Sequence, residues 1–144
     1  MSREKQYASY KSLAPKDEQK DQYICMSVQD LHHRKKLLTE NTIVCIDLWA
    51  DWCAPCKVVS PQFAELAKQY NSPGRCLLVK EDVDLDLTRD FQVTGIPAFI
   101  FYRNGQLVKD QHDKIVSVIG GDINKVRQIL DRLLDTNYSI SSEQ

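Results

Sequence analysis

Val44-Cys45-Ile46-Asp47-Leu48-Trp49-Ala50-Asp51-Trp52-Cys53-Ala54-Pro55-Cys56-Lys57 decides how this chain is read. From Ile43 to Ala50 the sequence is continuously apolar except for Asp47, the pattern of a strand buried on both faces of a sheet flanked by helices. Beyond it Val59, Phe63, Leu66, Ala67 and Tyr70 recur at helical spacing, so the two cysteines stand where a buried strand passes into a helix. Cysteines three apart on the first turn of a helix share one face and are close enough to close a small disulfide ring. Cys53, near the helix N-terminus, meets unpaired N–H groups and the positive end of the macrodipole, so its pKa should fall below the free value of about 8.5. Cys56, one turn inside, is less exposed and suited to resolve a mixed disulfide by intramolecular attack. The competing readings are a zinc knuckle and two unrelated core cysteines. Zinc needs four ligands, and the remaining Cys25, Cys45, Cys76, His32, His33 and His112 are scattered with no second pair at matching spacing, so redox chemistry is the preferred reading.

Working outward, a short strand is expected at Tyr23 to Val28 and a helix at Gln29 to Glu40, with Ser27 and Asp30 spaced as a capping box. Pro61 falls inside the helix that follows Cys53 and should kink it, and Ser72-Pro73-Gly74 ends it. A second buried strand runs from Cys76 to Val83, a short helix is expected over Leu87 to Phe91, and a third strand over Ala98 to Tyr102. Asn104-Gly105 is a hairpin turn, and Ile115 to Ile119 extends or follows the partner strand. A last helix should start at Asp122 as N-cap, with Ile123, Val126, Ile129, Leu130, Leu133 and Leu134 as its apolar face. The predicted architecture is α/β: a central mixed sheet of four to five strands with helices on both faces.

The chain has 144 residues, 42% hydrophobic and 27% charged, which suits one ordinary globular domain. Residues 1–22 are polar with few periodic apolar residues and are expected to be a mobile extension; 23–136 form the domain and 137–144 a tail. A formal charge of −1 gives no reason to expect a nucleic-acid or membrane partner. The polar start suggests no secretion signal, and five cysteines are not a disulfide framework, so a reducing, cytoplasmic compartment is expected. Cys25, Cys45 and Cys76 read as small core residues, and His32-His33-Arg34-Lys35-Lys36 as a solvated helix face rather than a binding site.

The stretch from Val44 to Lys57 closely resembles the active-site signature of thioredoxins, and three further stretches match in order: Ser60-Pro61, Val93-Thr94-Gly95-Ile96-Pro97 with Phe99 to Gly105, and Ile119-Gly120-Gly121. The resemblance covers about residues 23 to 135 and implies the thioredoxin fold. It implies that Asp47, whose apolar neighbours already predict burial and a raised pKa, lies behind Cys56 and takes its proton during resolution. Lys80 matches a family lysine near that carboxylate. Pro97 is implied to be a cis proline opposite Cys53, with Trp52, Ala54, Pro55, Ile96, Pro97, Ile119 and Gly120 forming an apolar contact patch for substrate. The chain departs from the family pattern at Ala54, where glycine is usual, and in a longer stretch around Lys109 to Lys114, expected to be a loop or extended hairpin.

The function expected is reduction of disulfides in client proteins through Cys53 and Cys56. The resemblance implies re-reduction by a thioredoxin-reductase-like flavoprotein or another dithiol donor, with no bound cofactor and no metal. An uncharged Ala-Pro spacer stabilises the thiolate form less than a cationic one and favours the reductant direction. The alternatives are a disulfide oxidase or isomerase, and a binding or scaffold module that keeps its thiols.

Overall fold

The computed structural model describes residues 25–135. The expectations for residues 1–22, for Tyr23 and Ile24, and for 136–144 lie outside the described residues. In chain order the elements are β1 (Met26–Ser27), α1 (Leu31–Glu40), β2 (Ile43–Trp49), α2 (Ala54–Tyr70), β3 (Cys76–Asp82), a 3-10 turn (Val83–Leu85), β4 (Ala98–Arg103), β5 (Gln106–Leu107), β6 (Ser117–Ile119) and α3 (Ile123–Leu134).

β2 is the centre of the sheet. It pairs in parallel with β3, Ile43 opposite Cys76 through Trp49 opposite Asp82, and antiparallel with β4, Leu48 opposite Ala98. β1 adds in parallel outside β3, while β5 and β6 both pair antiparallel with β4. The predicted mixed sheet is there, with six strands because the brief β5 and β6 are separate. Unbroken burial from Ile43 to Leu48 follows from cover on both faces. Cys45, Leu78, Phe99 and Phe101 pack with the apolar stripes of α2 and α3 on one face, where the Phe63 and Phe99 rings lie 5.4 Å apart. Val44, Ile46, Leu77 and Ile100 pack on the other, against Leu37 of α1 and the chain around Leu87 to Val93.

Local sequence explains the boundaries. Asp30, not Ser27, caps α1, its carboxylate accepting from the His33 N–H at 2.7 Å. Asp122 caps α3 as expected, accepting from the Lys125 N–H. Asn104 and Gly105 both have left-handed backbones, φ 51° and 81°, the requirement of a two-residue hairpin turn of type I′. The longer stretch after β5 is an extended hairpin: Lys109 bridges Ile115, and the Asp110 carboxylate accepts from the His112 and Lys114 N–H groups at its tip.

Two expectations fail for one electrostatic reason. Leu87 to Phe91 form no helix, and Arg34 is not solvated but buried at 7% exposure. Glu81, fully buried on β3, accepts from Arg34 Nη1 through both carboxylate oxygens at 3.0 Å and from Arg89 Nη2 at 2.6 Å. Arg34 also donates to the Thr88 carbonyl. That carbonyl and the Arg89 side chain are thereby committed to a buried ion cluster, while Leu87, Phe91 and Val93 turn onto the sheet. A helical turn here would have to surrender those bonds. Removing the shared carboxylate would strand two guanidiniums in a largely buried site, the costly way to break an ionic cluster. Glu81→Ala should lose about 3–5 kcal/mol of stability, measured by urea unfolding of the variant against the parent chain.

Candidate active site

α2 begins on a cysteine. Cys53 is its N-cap, with extended backbone (φ −94°, ψ 102°), and the Cys56 N–H points at the Cys53 sulfur from 3.3 Å. A sulfur thus occupies the place where an Asp or Ser oxygen usually satisfies an orphan helix N–H. Pro55 fits the first turn because the N–H it lacks would have no partner there, and the Cys53 N–H is held by the Ala50 carbonyl at 3.1 Å. The two cysteines form a disulfide with their Cα atoms 5.3 Å apart. Both are buried, Cys53 at 5% exposure and Cys56 at 1%.

Around the pair the predicted contact residues separate by depth. Trp52, 69% exposed, and Ile119, 57% exposed, stand out from the surface beside exposed Ala54 and Pro55. Ile96 packs against the cluster of Ala50, Cys53 and Cys56, and the Ile96–Pro97 bond is cis. Pro97 is buried, and its carbonyl accepts from the Gly120 N–H at 2.7 Å, which ties the proline loop to the turn before α3. Gly120 adopts φ +99°, backbone that an L side chain resists.

The sheet face that α2 covers also carries a buried carboxyl. Side chains alternate along β2, so Asp47 shares the α2-covered face with Ile43 and Cys45. It is fully buried, and neither carboxylate oxygen has a hydrogen-bond partner among the described residues. Burial pushes its pKa up from 3.8 to about 7, against the pull of the Lys80 ammonium. Lys80 is Asp47's register partner on β3, but its Nζ donates to Ser60 Oγ at 3.1 Å and lies 4.3 Å from the centre of the Trp49 ring.

Two participants were missed in the sequence. Asp84 accepts from the Trp52 indole N–H at 3.1 Å and fixes the ring beside Cys53; only its place just after the second buried strand could have drawn attention to it. Ser60 could have been found as the residue four after Cys56, on the same helix face. Cys45 and Cys76 are buried and Cys25 partly so, all with thiols raised by burial, Cys25 and Cys76 to about 12. Those three thiols are poor nucleophiles beside Cys53. Among the described residues no group of three or more His, Cys, Asp or Glu converges as a metal site, and no helix is long and apolar enough to cross a membrane.

A cysteine pair closed across the first turn of a helix, with Ile96 of the proline loop packed against it, defines a dithiol–disulfide exchange centre. The thioredoxin family model matches residues 24–120. The chain is 31% identical over 99 residues to a thioredoxin of Neurospora crassa, covering 67% of this chain and 76% of that protein. It is 46% identical over 71 residues to thioredoxin 1 of Chlorobaculum tepidum, covering 48% and 68%. The match to Thioredoxin-T of Drosophila melanogaster is 37% over 73 residues, and there the chain spans 46% of the relative's length. Reduced Schistosoma mansoni thioredoxin superposes with a TM-score of 0.60 at 31% identity, over 73% of this chain and 93% of that one. The chain belongs to the thioredoxin family and is a thiol–disulfide oxidoreductase of that type.

The state of Asp47 has a measurable consequence for stability. Its folded pKa lies above its unfolded one, so between about 3.8 and about 7 the folded chain binds more protons and stability falls as pH rises. Asp47→Asn removes that dependence. The variant should gain on the parent by up to about 4 kcal/mol above pH 7, at about 1.36 kcal/mol for each pH unit, with the difference closing towards pH 4. Paired denaturation curves of the oxidised proteins at pH 4, 6 and 8 check it.

Proposed function

We propose that this protein reduces disulfide bonds in client proteins, with Cys53 as attacking thiolate and Cys56 as resolving thiol. The observation that carries the reading is the Cys56 N–H directed at Cys53 Sγ at the start of α2, an arrangement that favours the sulfur as an anion once the pair is reduced. In the reduced protein Cys53 attacks one sulfur of the client disulfide, forming a mixed disulfide and releasing the client's other sulfur as a thiolate. Cys56 then loses its proton and attacks Cys53. The Cys53–Cys56 bond closes, the client leaves as a dithiol, and two electrons have passed from this chain to the client.

The buried Asp47, with a pKa near neutrality, is the proposed acceptor of the Cys56 proton, and Lys80 moderates its charge. Trp52, Ala54, Pro55, Ile96, Pro97, Ile119 and Gly120 form the proposed contact surface. The exposed Trp52 and Ile119 supply its apolar area, and the loop at Ile96, packed against the cysteine pair, is the proposed place where a client segment is held. The uncharged Ala54-Pro55 spacer supports the reducing direction. Re-reduction falls to a flavoprotein reductase or another dithiol donor in a reducing, cytoplasmic setting, with no bound cofactor, since the cysteine pair is itself the redox centre. The polar extension 1–22 and tail 137–144 are assigned no part in the exchange.

With dithiothreitol as electron source, the parent protein should reduce a model disulfide protein. Cys53→Ser should lose at least about 10³-fold of that activity, the range of removing an essential nucleophile. Cys56→Ser should accumulate clients as mixed disulfides on Cys53, visible on non-reducing gels and released by reductant. A parent protein inactive under these conditions would point instead to a module that works by docking alone.

A further inference from the structure

Lys80 stands directly opposite Asp47 in the β2–β3 register, and on neighbouring strands a lysine of that reach can close on the carboxylate. It does not form that bond: neither Asp47 oxygen has a hydrogen-bond partner among the described residues, and the ammonium acts on them through space alone. Its Nζ is held elsewhere, by the Ser60 hydroxyl at 3.1 Å and over the Trp49 ring at 4.3 Å. Ser60 lies one turn after Cys56 on α2, so the residue restraining the lysine shares a helix face with the resolving thiol.

We propose that Ser60 is a positioning residue whose hydroxyl, together with the Trp49 ring, keeps the Lys80 ammonium from pairing with Asp47 and so leaves that carboxyl able to bind and release a proton. A direct pair would favour the carboxylate further, because an opposite charge in contact lowers a carboxyl pKa by about 1–3 pH units. A carboxyl so fixed would be too weak a base to take a thiol's proton near neutral pH. With the ammonium retained at Ser60, its positive charge is near enough to moderate the cost of ionising Asp47 without abolishing it. The other titratable groups facing this site do not substitute for the lysine. Cys25 ahead of β1 and Cys45 on β2 are held protonated by burial, Cys56 comes from α2, and β4 presents Phe99.

The proposal rests on Asp47 as proton acceptor only for its consequence, and the two can be tested apart. The Asp47 carboxyl is titrated by carbon NMR in the oxidised protein, where neither active-site cysteine ionises. Ser60→Ala, a good helix residue at that position, should lower the midpoint by about 1 pH unit as Lys80 closes on the carboxylate. Ser60→Thr keeps the hydroxyl and should hold the midpoint at the parent value. In a Lys80→Met background Ser60→Ala should shift nothing. An unchanged or raised midpoint in Ser60→Ala, an equal fall in Ser60→Thr, or a fall that persists without Lys80 overturns the proposal. If the midpoint falls as stated but the pH profile of mixed-disulfide resolution does not move with it, Ser60 positions Lys80 as proposed and Asp47 is not the acceptor.

Discussion

A sulfur atom caps α2, and the chemistry of this protein depends on that substitution for an oxygen. Helix starts leave N–H groups without partners, and a side chain that supplies electron density there stabilises the helix and is itself drawn towards negative charge. When the capping atom is Cys53 Sγ, the demand of the helix bears on one sulfur of the redox pair. The preceding structure exists to deliver that cap. β2 is buried on both faces up to Leu48, Ala50 turns the chain by accepting from the Cys53 N–H, and Pro55 fits the first turn of α2. Because Cys56 is one turn on, its N–H and its sulfur both converge on the cap.

Two adjacent residues of β3 show how the sheet separates two uses of buried charge. Lys80 and Glu81 point to opposite faces, as neighbours on a strand must. On the α1 face Glu81 is surrounded by guanidinium donors, and this cluster pins an irregular segment leading to the proline loop. On the α2 face neither Asp47 oxygen has a hydrogen-bond partner among the described residues, and its ammonium neighbour is bound to a hydroxyl. One carboxylate is structural, bonded to two guanidiniums, while burial pushes the other up towards neutral pH at some cost in stability.

The sequence disclosed what depends on periodicity and on short motifs. Apolar runs placed β2 and the first half of β3, the stripe from Val126 to Leu133 placed α3, and Asn104-Gly105 placed the hairpin, because each is decided by a few neighbouring residues. The strand–cysteine–helix junction and the burial of Asp47 were legible for the same reason. What escaped depends on pairs distant along the chain. Arg34 lies 47 residues from Glu81, in a run of five basic residues whose composition alone suggests solvent. The Leu87–Phe91 segment carries a helix-compatible pattern, but that cluster binds its backbone and side chain first. Ser60 carried only its spacing to Cys56, with nothing to name Lys80 as its partner, and Asp84 became legible only once the fold had put Trp52 beside it.

The pH dependence of alkylation at Cys53 in the fully reduced protein, followed by mass spectrometry with iodoacetamide, tests the capping argument most directly. A sulfur held by the Cys56 N–H at the helix N-terminus should titrate clearly below the free thiol value of about 8.5 and react well before Cys56. A midpoint at or above that value, or equal rates at the two cysteines, would contradict it.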